Sequence, residues 1–238
     1  HRLLYRLDKG KVVLNRRSVV VVDEAAMIGT RQLARLITAT EAAGAKLVLV
    51  GDAQQLQSIE TGGGFKKIGE MTGRVELTYI TRQTIKWMRK AVVDMIHGDA
   101  ASVLKDYANH SRLTVQETWR DARQALIERW RQQALHSPEN HLILAGKHLD
   151  VQELNKQAQN ARQAAGLLGK SSIKVRGQTF YPNDRVIFTK NNVATQLKNG
   201  QAGTVKEVSG NSMTVWLDNG LTKQIDTAAY DHMQLGYA

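Results

Sequence analysis

The chain has 238 residues, 42% hydrophobic and 23% charged, ordinary values for a globular protein with material for one large domain or two to three small ones. Cysteine is absent, which excludes a disulfide framework and a thiolate zinc site, and no apolar run approaches the roughly 18–20 residues that span a bilayer. The formal charge of +11, with a pI near 9.9, favours a polyanionic partner, since each phosphate neutralised by Lys or Arg releases counterions.

In chain order, Ser18–Val22 (SVVVV) reads as a strand apolar on both faces, as parallel strands of α/β sheets are, and it runs straight into Asp23-Glu24. Gly29-Thr30 opens a helix with Leu33, Leu36 and Ile37 on one side, and Gly44 closes it. Lys46–Val50 is a second apolar strand, ending on Gly51-Asp52. Strand, helix and strand form a βαβ unit with a right-handed crossover, whose ligands gather at the carboxyl ends of the strands. Both polar pairs therefore fall on one edge.

Residues 85–136 read as mainly helical, with Trp119, Ala122, Leu126 and Trp130 on one side of the last helix. Residues 141–145 (HLILA) read as a short strand, followed by a helix from about Asp150 to Ala165 with Val151, Leu154, Ala158 and Ala161 as its buried stripe. Beyond Gly166, short strands alternate with turn residues, and Met213, Val215 and Leu217 show a period of two. That texture predicts a small β-barrel and a domain boundary near residue 171.

A strand that ends on Asp-Glu has two readings. The carboxylates either favour the N-terminus of the following helix or flank a magnesium ion, one holding the metal while the other orients and deprotonates water. The glycines of ETGGGF (60–65) lack the G-x-x-x-x-G-K-[ST] spacing and its lysine, so they read as a loop before a helix packed by Phe65. Seven histidines are scattered without metal-ligand spacing.

Three stretches taken together carry a more specific signal: SVVVVDEAAMIG (18–29), LVLVGDAQQLQSIETGGGF (47–65) and ELTYITRQ (76–83). They resemble motifs II, III and IV of superfamily 1 DNA helicases of the RecD-like branch, with the tightest fit to the helicase region of conjugative relaxases of the TraA/TraI type. DVQELN (150–155) and NDRVIFTKNN with KNGQAGTV (183–192 and 198–205) extend the resemblance over almost the whole chain. The resemblance implies an α/β fold of RecA-like parallel-sheet motor domains of the P-loop NTPase type, partial here, with an inserted SH3-like β-barrel. Residues 1–84 would be the C-terminal part of the first motor domain and 85–170 the start of the second. Residues 171–228 would be the barrel, and 229–238 the return to the second motor domain.

The same resemblance implies ATP and Mg²⁺ as cofactors, single-stranded DNA as partner, conjugative transfer or secretion machinery as a further partner, and a cytoplasmic location. Asp23 would help hold Mg²⁺, Glu24 would act as catalytic base, and Gln55 would sense the γ-phosphate. Arg82 would stabilise transition-state charge from a strand end after ELTYI; on residues alone it is a surface arginine. Asn192, Lys198 and Asn199, on the longest loop of the barrel, are candidates for DNA-backbone contact, and Asn199-Gly200 equally makes a simple turn. Trp216 is either packed between domains or stacked on a base.

The pattern departs from the family at three places. No Walker A loop occurs in the 238 residues, the chain ends at YDHMQLGYA where motif V would begin, and Gly146-Lys147-His148 replaces a small hydroxyl residue and Asn. With the start at His1, these features are expected of an internal fragment, inactive alone, of a translocase. The alternative is an ATPase-dead module that grips single-stranded DNA or a transfer partner.

Overall fold

The computed structural model describes residues 2–55, 58, 60 and 63–238, and the chain divides into two compact units, His1–Leu113 and Thr114–Ala238. The first contains α1 (Arg2–Asp8), β1 (Val19–Val22), α2 (Thr30–Ala42), β2 (Lys46–Leu49), α3 (Gly64–Thr72), α4 (Lys86–Ile96) and α5 (Ala100–Asn109). Strands β1 and β2 pair in parallel, with Val19 opposite Lys46 and Val22 opposite Leu49. Leu33 and Leu36 of α2 are buried along with Val20 of β1. At the end of α2, Gly44 takes a left-handed φ of 62°, and the Ala45 N–H donates to the Thr40 carbonyl at 2.8 Å.

Two expectations for this unit are corrected. β1 is covered on one face only: Val20 is buried, whereas Val19 and Val21 are 59% and 62% exposed. An apolar side chain at every position demands cover on both faces, and here the alternation of the pleat turns two of the valines to solvent. ELTYI forms no strand; residues 74–80 are irregular, with Val75, Leu77 and Tyr79 exposed. Apolar and β-prone side chains do not make a strand without a neighbour to take its backbone hydrogen bonds.

The second unit contains α6 (Trp119–Ala134), α7 (His148–Ala164), β3 (Ile173–Val175), β4 (Gln178–Phe180), β5 (Arg185–Phe188), β6 (Ala202–Ser209), β7 (Ser212–Leu217), β8 (Thr222–Asp226) and β9 (Met233–Leu235). β3 and β4 form a hairpin, and the other strands form an antiparallel sheet in the order β8-β7-β6-β5-β9. The hydrogen-bonded ladder stays open, with β8 and β9 as its edges, so the closed barrel read from the sequence is not found. β9 is the strand the turn signals did not announce; it returns to pair antiparallel with β5, Val186 opposite Leu235. One core unites helices and sheet: Ile127, Trp130, Leu154, Phe180, Phe188, Met213, Val215 and Tyr237 are all part of it.

The helix faces also differ from their periodic reading. α6 buries Ile127, Trp130 and Ala134, while Trp119 is 75% exposed and Leu126 partly so. Residues 141–145 adopt no regular strand, although Ile143 donates its N–H to the Tyr237 carbonyl at 3.0 Å. α7 buries Leu154 and Ala158 but also Asn155, Gln159 and Arg162, a polar stripe one step round the helix. Its side chains bond backbone groups and one carboxylate, while Arg162 Nε is buried without a hydrogen-bond partner. The Asn155 side-chain oxygen accepts from the N–H groups of Tyr237 and Ala238, and its amide donates to the Ala238 carbonyl. Gln159 donates to Asp184 Oδ2 at 2.6 Å, Tyr237 O–H donates to Asp184 Oδ1 at 2.6 Å, and the Tyr181 N–H donates to Oδ2 at 2.8 Å.

Asp184 is fully buried, and that burial pushes its carboxyl above the usual carboxylate range, while the hydrogen bonds from Tyr237, Tyr181 and Gln159 oppose the shift. A carboxyl whose folded-state pKa is raised contributes stability that is fully present below its unfolded value and lost as pH rises through the folded value. The window opens at the ordinary Asp value of 3.8 and closes at the raised pKa. Urea unfolding of wild type and Asp184→Asn should therefore show wild type losing stability relative to the variant as pH rises across that window. A difference that stays constant with pH would contradict the buried-carboxyl account.

Candidate functional site

The carboxyl ends of β1 and β2 are held together by backbone. The ladder continues past the strands through Val50 N–H to the Val22 carbonyl (2.8 Å) and Ala25 N–H to the Val50 carbonyl (2.9 Å). A Cβ at Gly51 would lie 3.0 Å from the Ala25 nitrogen, 3.1 Å from the Ala26 nitrogen and 3.5 Å from Cζ of Phe65. Only a residue without a side chain lets these loops approach so closely. Glu24 sits at the turn itself, in the left-handed region at φ 53°, ψ 41°, just before the single 3₁₀ turn Ala25–Met27. A non-glycine residue held there is strained, and such strain concentrates at functional turns.

Asp23 and Glu24 are both exposed, and Asp23 Oδ1 accepts the Glu24 N–H at 3.0 Å. Among the described residues neither carboxylate has a lysine or arginine within ion-pair distance; elsewhere in this unit Asp8 pairs with Arg35 and Glu70 with Lys67. On the neighbouring loop Asp52 acts as organiser. Its Oδ1 accepts the Gln54 N–H at 2.9 Å, and its Oδ2 accepts from the Gln55 side-chain amide at 3.2 Å. Gln55 is thus presented from the β2 end and the carboxylates from the β1 end, on the edge where the two loops meet. Leu56, Gln57, Ile59, Thr61 and Gly62 of the GDAQQLQSIETGGGF stretch lie outside the described residues.

Arg82 is exposed in irregular chain between α3 and α4. Among the described residues no hydrogen bond or ion pair joins it to Asp23, Glu24 or Gln55, and the strand end expected to project it is absent. Asn192, Lys198 and Asn199 lie in the second unit, on the loop between β5 and β6. Asn192 is half-buried and structural in part: its Oδ1 accepts the Thr195 N–H, and its backbone bridges to Leu197. Lys198 and Asn199 are exposed, and Gly200 turns the chain at φ 80°.

Sequence reasoning placed Gly51-Asp52 at the strand end but did not assign either residue a task. The signal was available, because Asp followed two residues later by a chain reversal is an Asx-turn pattern. A second glycine pattern, Gly166-Leu-Leu-Gly169-Lys170-Ser171, has Ala164 where the first glycine of a phosphate loop would stand. It follows a helix and leads into a strand, and Gly169 is packed on Pro182. That is the reverse of the strand–loop–helix order a phosphate cradle requires.

A family model described as an AAA domain matches residues 1–118. The conjugal transfer protein TraA of Agrobacterium fabrum is 33% identical over 98% of this chain, and the ATP-dependent RecD2 DNA helicase of Deinococcus radiodurans is 27% identical over 92%. Over nearly its whole length the chain is similar to conjugative TraA proteins and to a RecD-like helicase. It spans 22% of the length of that TraA and 30% of that RecD2. Among solved structures, a Bacteroides Pif1 bound to single-stranded DNA matches 88% of the chain with a TM-score of 0.51 at 18% identity, and covers with it 52% of its own chain. A Pif1 helicase from a forked-duplex study matches 93% of the chain, and 59% of its own, at a TM-score of 0.53 and 17% identity. These likenesses show the α/β fold of such helicases. Among the described residues no helix is long and apolar enough to cross a membrane.

The backbone contact at Gly51 is a testable constraint. Gly51→Ala should push the Ala25–Ala26 turn away and cost about 1–3 kcal/mol, as overpacking does. Amide exchange at Ala25, whose N–H is bonded to Val50, should accelerate more than exchange in α5. Unchanged protection of Ala25 would show that the loops tolerate the methyl group.

Proposed function

We propose that this chain is part of an ATP-dependent translocase or helicase that moves on single-stranded DNA, working in the cytoplasm within a conjugative transfer relaxase. The observation that carries the reading is the pair of exposed carboxylates at the end of β1, in no ion pair among the described residues, beside a loop that presents Gln55. The TraA and RecD2 relatives support it.

The donor set suits magnesium. Mg²⁺ keeps several waters and takes one or two carboxylates together with substrate phosphates, so no dedicated cage is needed. Among the described residues there is no cluster of three or more His, Cys, Asp or Glu that would form one. Asp23 would hold the metal, which when bound with ATP supplies charge neutralisation at the phosphates. Glu24, its carboxylate in no ion pair among the described residues, orients water and takes its proton. Gln55, held by Asp52, reads the terminal phosphate and links nucleotide state to the rest of the motor. Arg82 adds a planar fork of donors for charge that spreads over phosphate oxygens in the transition state.

Within this reading residues 1–84 belong to the first motor domain and residues 85–170 and 229–238 to the second. Residues 171–228 are the counterpart of the SH3-like insertion of RecD-like helicases, and Asn192, Lys198 and Asn199 face the DNA backbone. Transfer or secretion machinery is the further partner.

The chain alone, lacking a G-x-x-x-x-G-K-[ST] loop, should hydrolyse no ATP above background. In a longer protein carrying it, Glu24→Gln should cut steady-state turnover by orders of magnitude while nucleotide binding persists. Wild-type turnover in that variant would instead favour a module that binds DNA without hydrolysing ATP. Arg82→Ala should lower turnover by roughly 10³–10⁵-fold with a much smaller change in ATP affinity, and Arg82→Lys should restore little, because a point charge cannot reproduce the fork. Equal losses of turnover and affinity would assign Arg82 to ground-state binding.

A further inference from the structure

The open sheet of the second unit has one face in the core and the other partly exposed. Met213, Val215 and Leu217 of β7 and Ile225 of β8 are buried on the inner face. The outer face carries a cross-strand row set by the register: Arg185 opposite Thr204, Thr204 opposite Trp216, and Trp216 opposite Thr222. Trp216 is 49% exposed in the middle of that row. Its flanks on the same face are hydroxyls and an amide, from Ser212, Thr214 and Gln224, with Gln224 donating to Ser212 Oγ.

A register shift between Val205 and Glu207 leaves Lys206 as the extra residue of a β-bulge. Bulges re-aim a side chain, and this one puts the Lys206 ammonium 4.7 Å from the Trp216 ring centroid. The row is anchored at its other end. Arg185 donates to both carboxylate oxygens of Asp218, at 2.7 and 2.6 Å, and to Thr204 Oγ1 at 3.0 Å. About half of an aromatic residue on an anchored sheet is thus open to solvent, with a cation over the ring and hydroxyls around it.

We propose that Trp216 is a base-stacking platform for single-stranded nucleic acid, with Lys206 as its phosphate contact; the proposal rests on the DNA-handling reading above. A protein-docking patch would present contiguous apolar surface, whereas this ring stands among threonines. The occupant is a polyanion with π-faces: the chain carries a net charge of +11, and every base offers a stacking surface. The exposed cation–π contact is weak compared with base stacking, so an arriving base displaces the ammonium from the ring, and the ammonium transfers to the phosphate that the base brings. The site lies on the sheet face, apart from the loop bearing Lys198 and Asn199.

The test is anisotropy titration of a fluorescein-labelled oligo-dT and of a duplex of equal length with the purified chain, across a series of salt concentrations. Trp216→Ala should weaken oligo-dT binding roughly 5- to 100-fold, with little change for the duplex, and Trp216→Phe should keep most of the affinity. Lys206→Ala should reduce the slope of log affinity against log salt by about 0.7, while Trp216→Ala leaves that slope unchanged. Oligo-dT affinity equal to wild type in Trp216→Ala, or equal losses on both probes, would overturn the platform and leave the ATPase reading intact. Failure of the wild-type chain to bind oligo-dT would also overturn it. The turnover of the Glu24→Gln variant reports on the ATPase reading independently.

Discussion

The hydrogen bond from the Ala25 N–H to the Val50 carbonyl extends the parallel ladder beyond the last paired residues of β1 and β2. Everything at the candidate site depends on it. It requires the chain to leave β1 through a left-handed Glu24, and it requires glycine at position 51 so that the Ala25 and Ala26 nitrogens can approach. Two loops distant in sequence are thereby closed onto one edge, carboxylates from one and an amide from the other. The strain at Glu24 is modest and local, and the surrounding ladder and the buried Ala25 and Ala26 hold it in place.

That geometry explains why a four-valine strand ends on charge. Parallel strands deliver their carboxyl ends to a common edge, where ligands of open α/β sheets bind. Asp23 and Glu24 remain exposed there without a cationic side chain from the described residues, and Asp52 spends its carboxylate on its own loop. The division of labour follows from local chemistry. Asp52 accepts from Gln54 and Gln55 and so is a fastening, whereas Asp23 and Glu24 keep acceptor capacity for a cation and for water.

The second unit is organised by a different device, a buried polar stripe on α7. Asn155, Gln159 and Arg162 reach the C-terminal backbone, the β4–β5 region and the Leu135 carbonyl. Asp184 collects three donors where the chain enters β5, and Tyr237 closes the cluster while its ring meets Trp130 edge-on at 5.6 Å. Leaving any of these groups unpaired in the core costs more than each bond contributes, which makes the arrangement specific. On the outer face of the same sheet Arg185 is buried and fastened to Asp218 and Thr204, and Trp216 is 49% exposed.

The sequence by itself determined the βαβ order, the edge on which Asp23 and Glu24 lie, the start and stop of α2 and the alternation of β7. Each is a local matter of periodicity, turn chemistry or strand direction, written in neighbouring residues. The likeness to TraA and RecD2 was legible for the same reason, since the motifs that carry it are contiguous stretches. Tertiary structure alone decided the rest. Val19 and Val21 became exposed because cover on a second face comes from other elements, and ELTYI stayed irregular because a strand needs a partner. α6 turned Ile127 inward instead of Trp119, and α7 buried three polar residues, because their partners lie far along the chain. Whether the strands would close into a barrel was likewise invisible, since the period of two says which side of a strand is buried and nothing about which strand pairs with which. Only the return of β9 to β5 settled the sheet's edge, through backbone hydrogen bonds between residues some fifty positions apart.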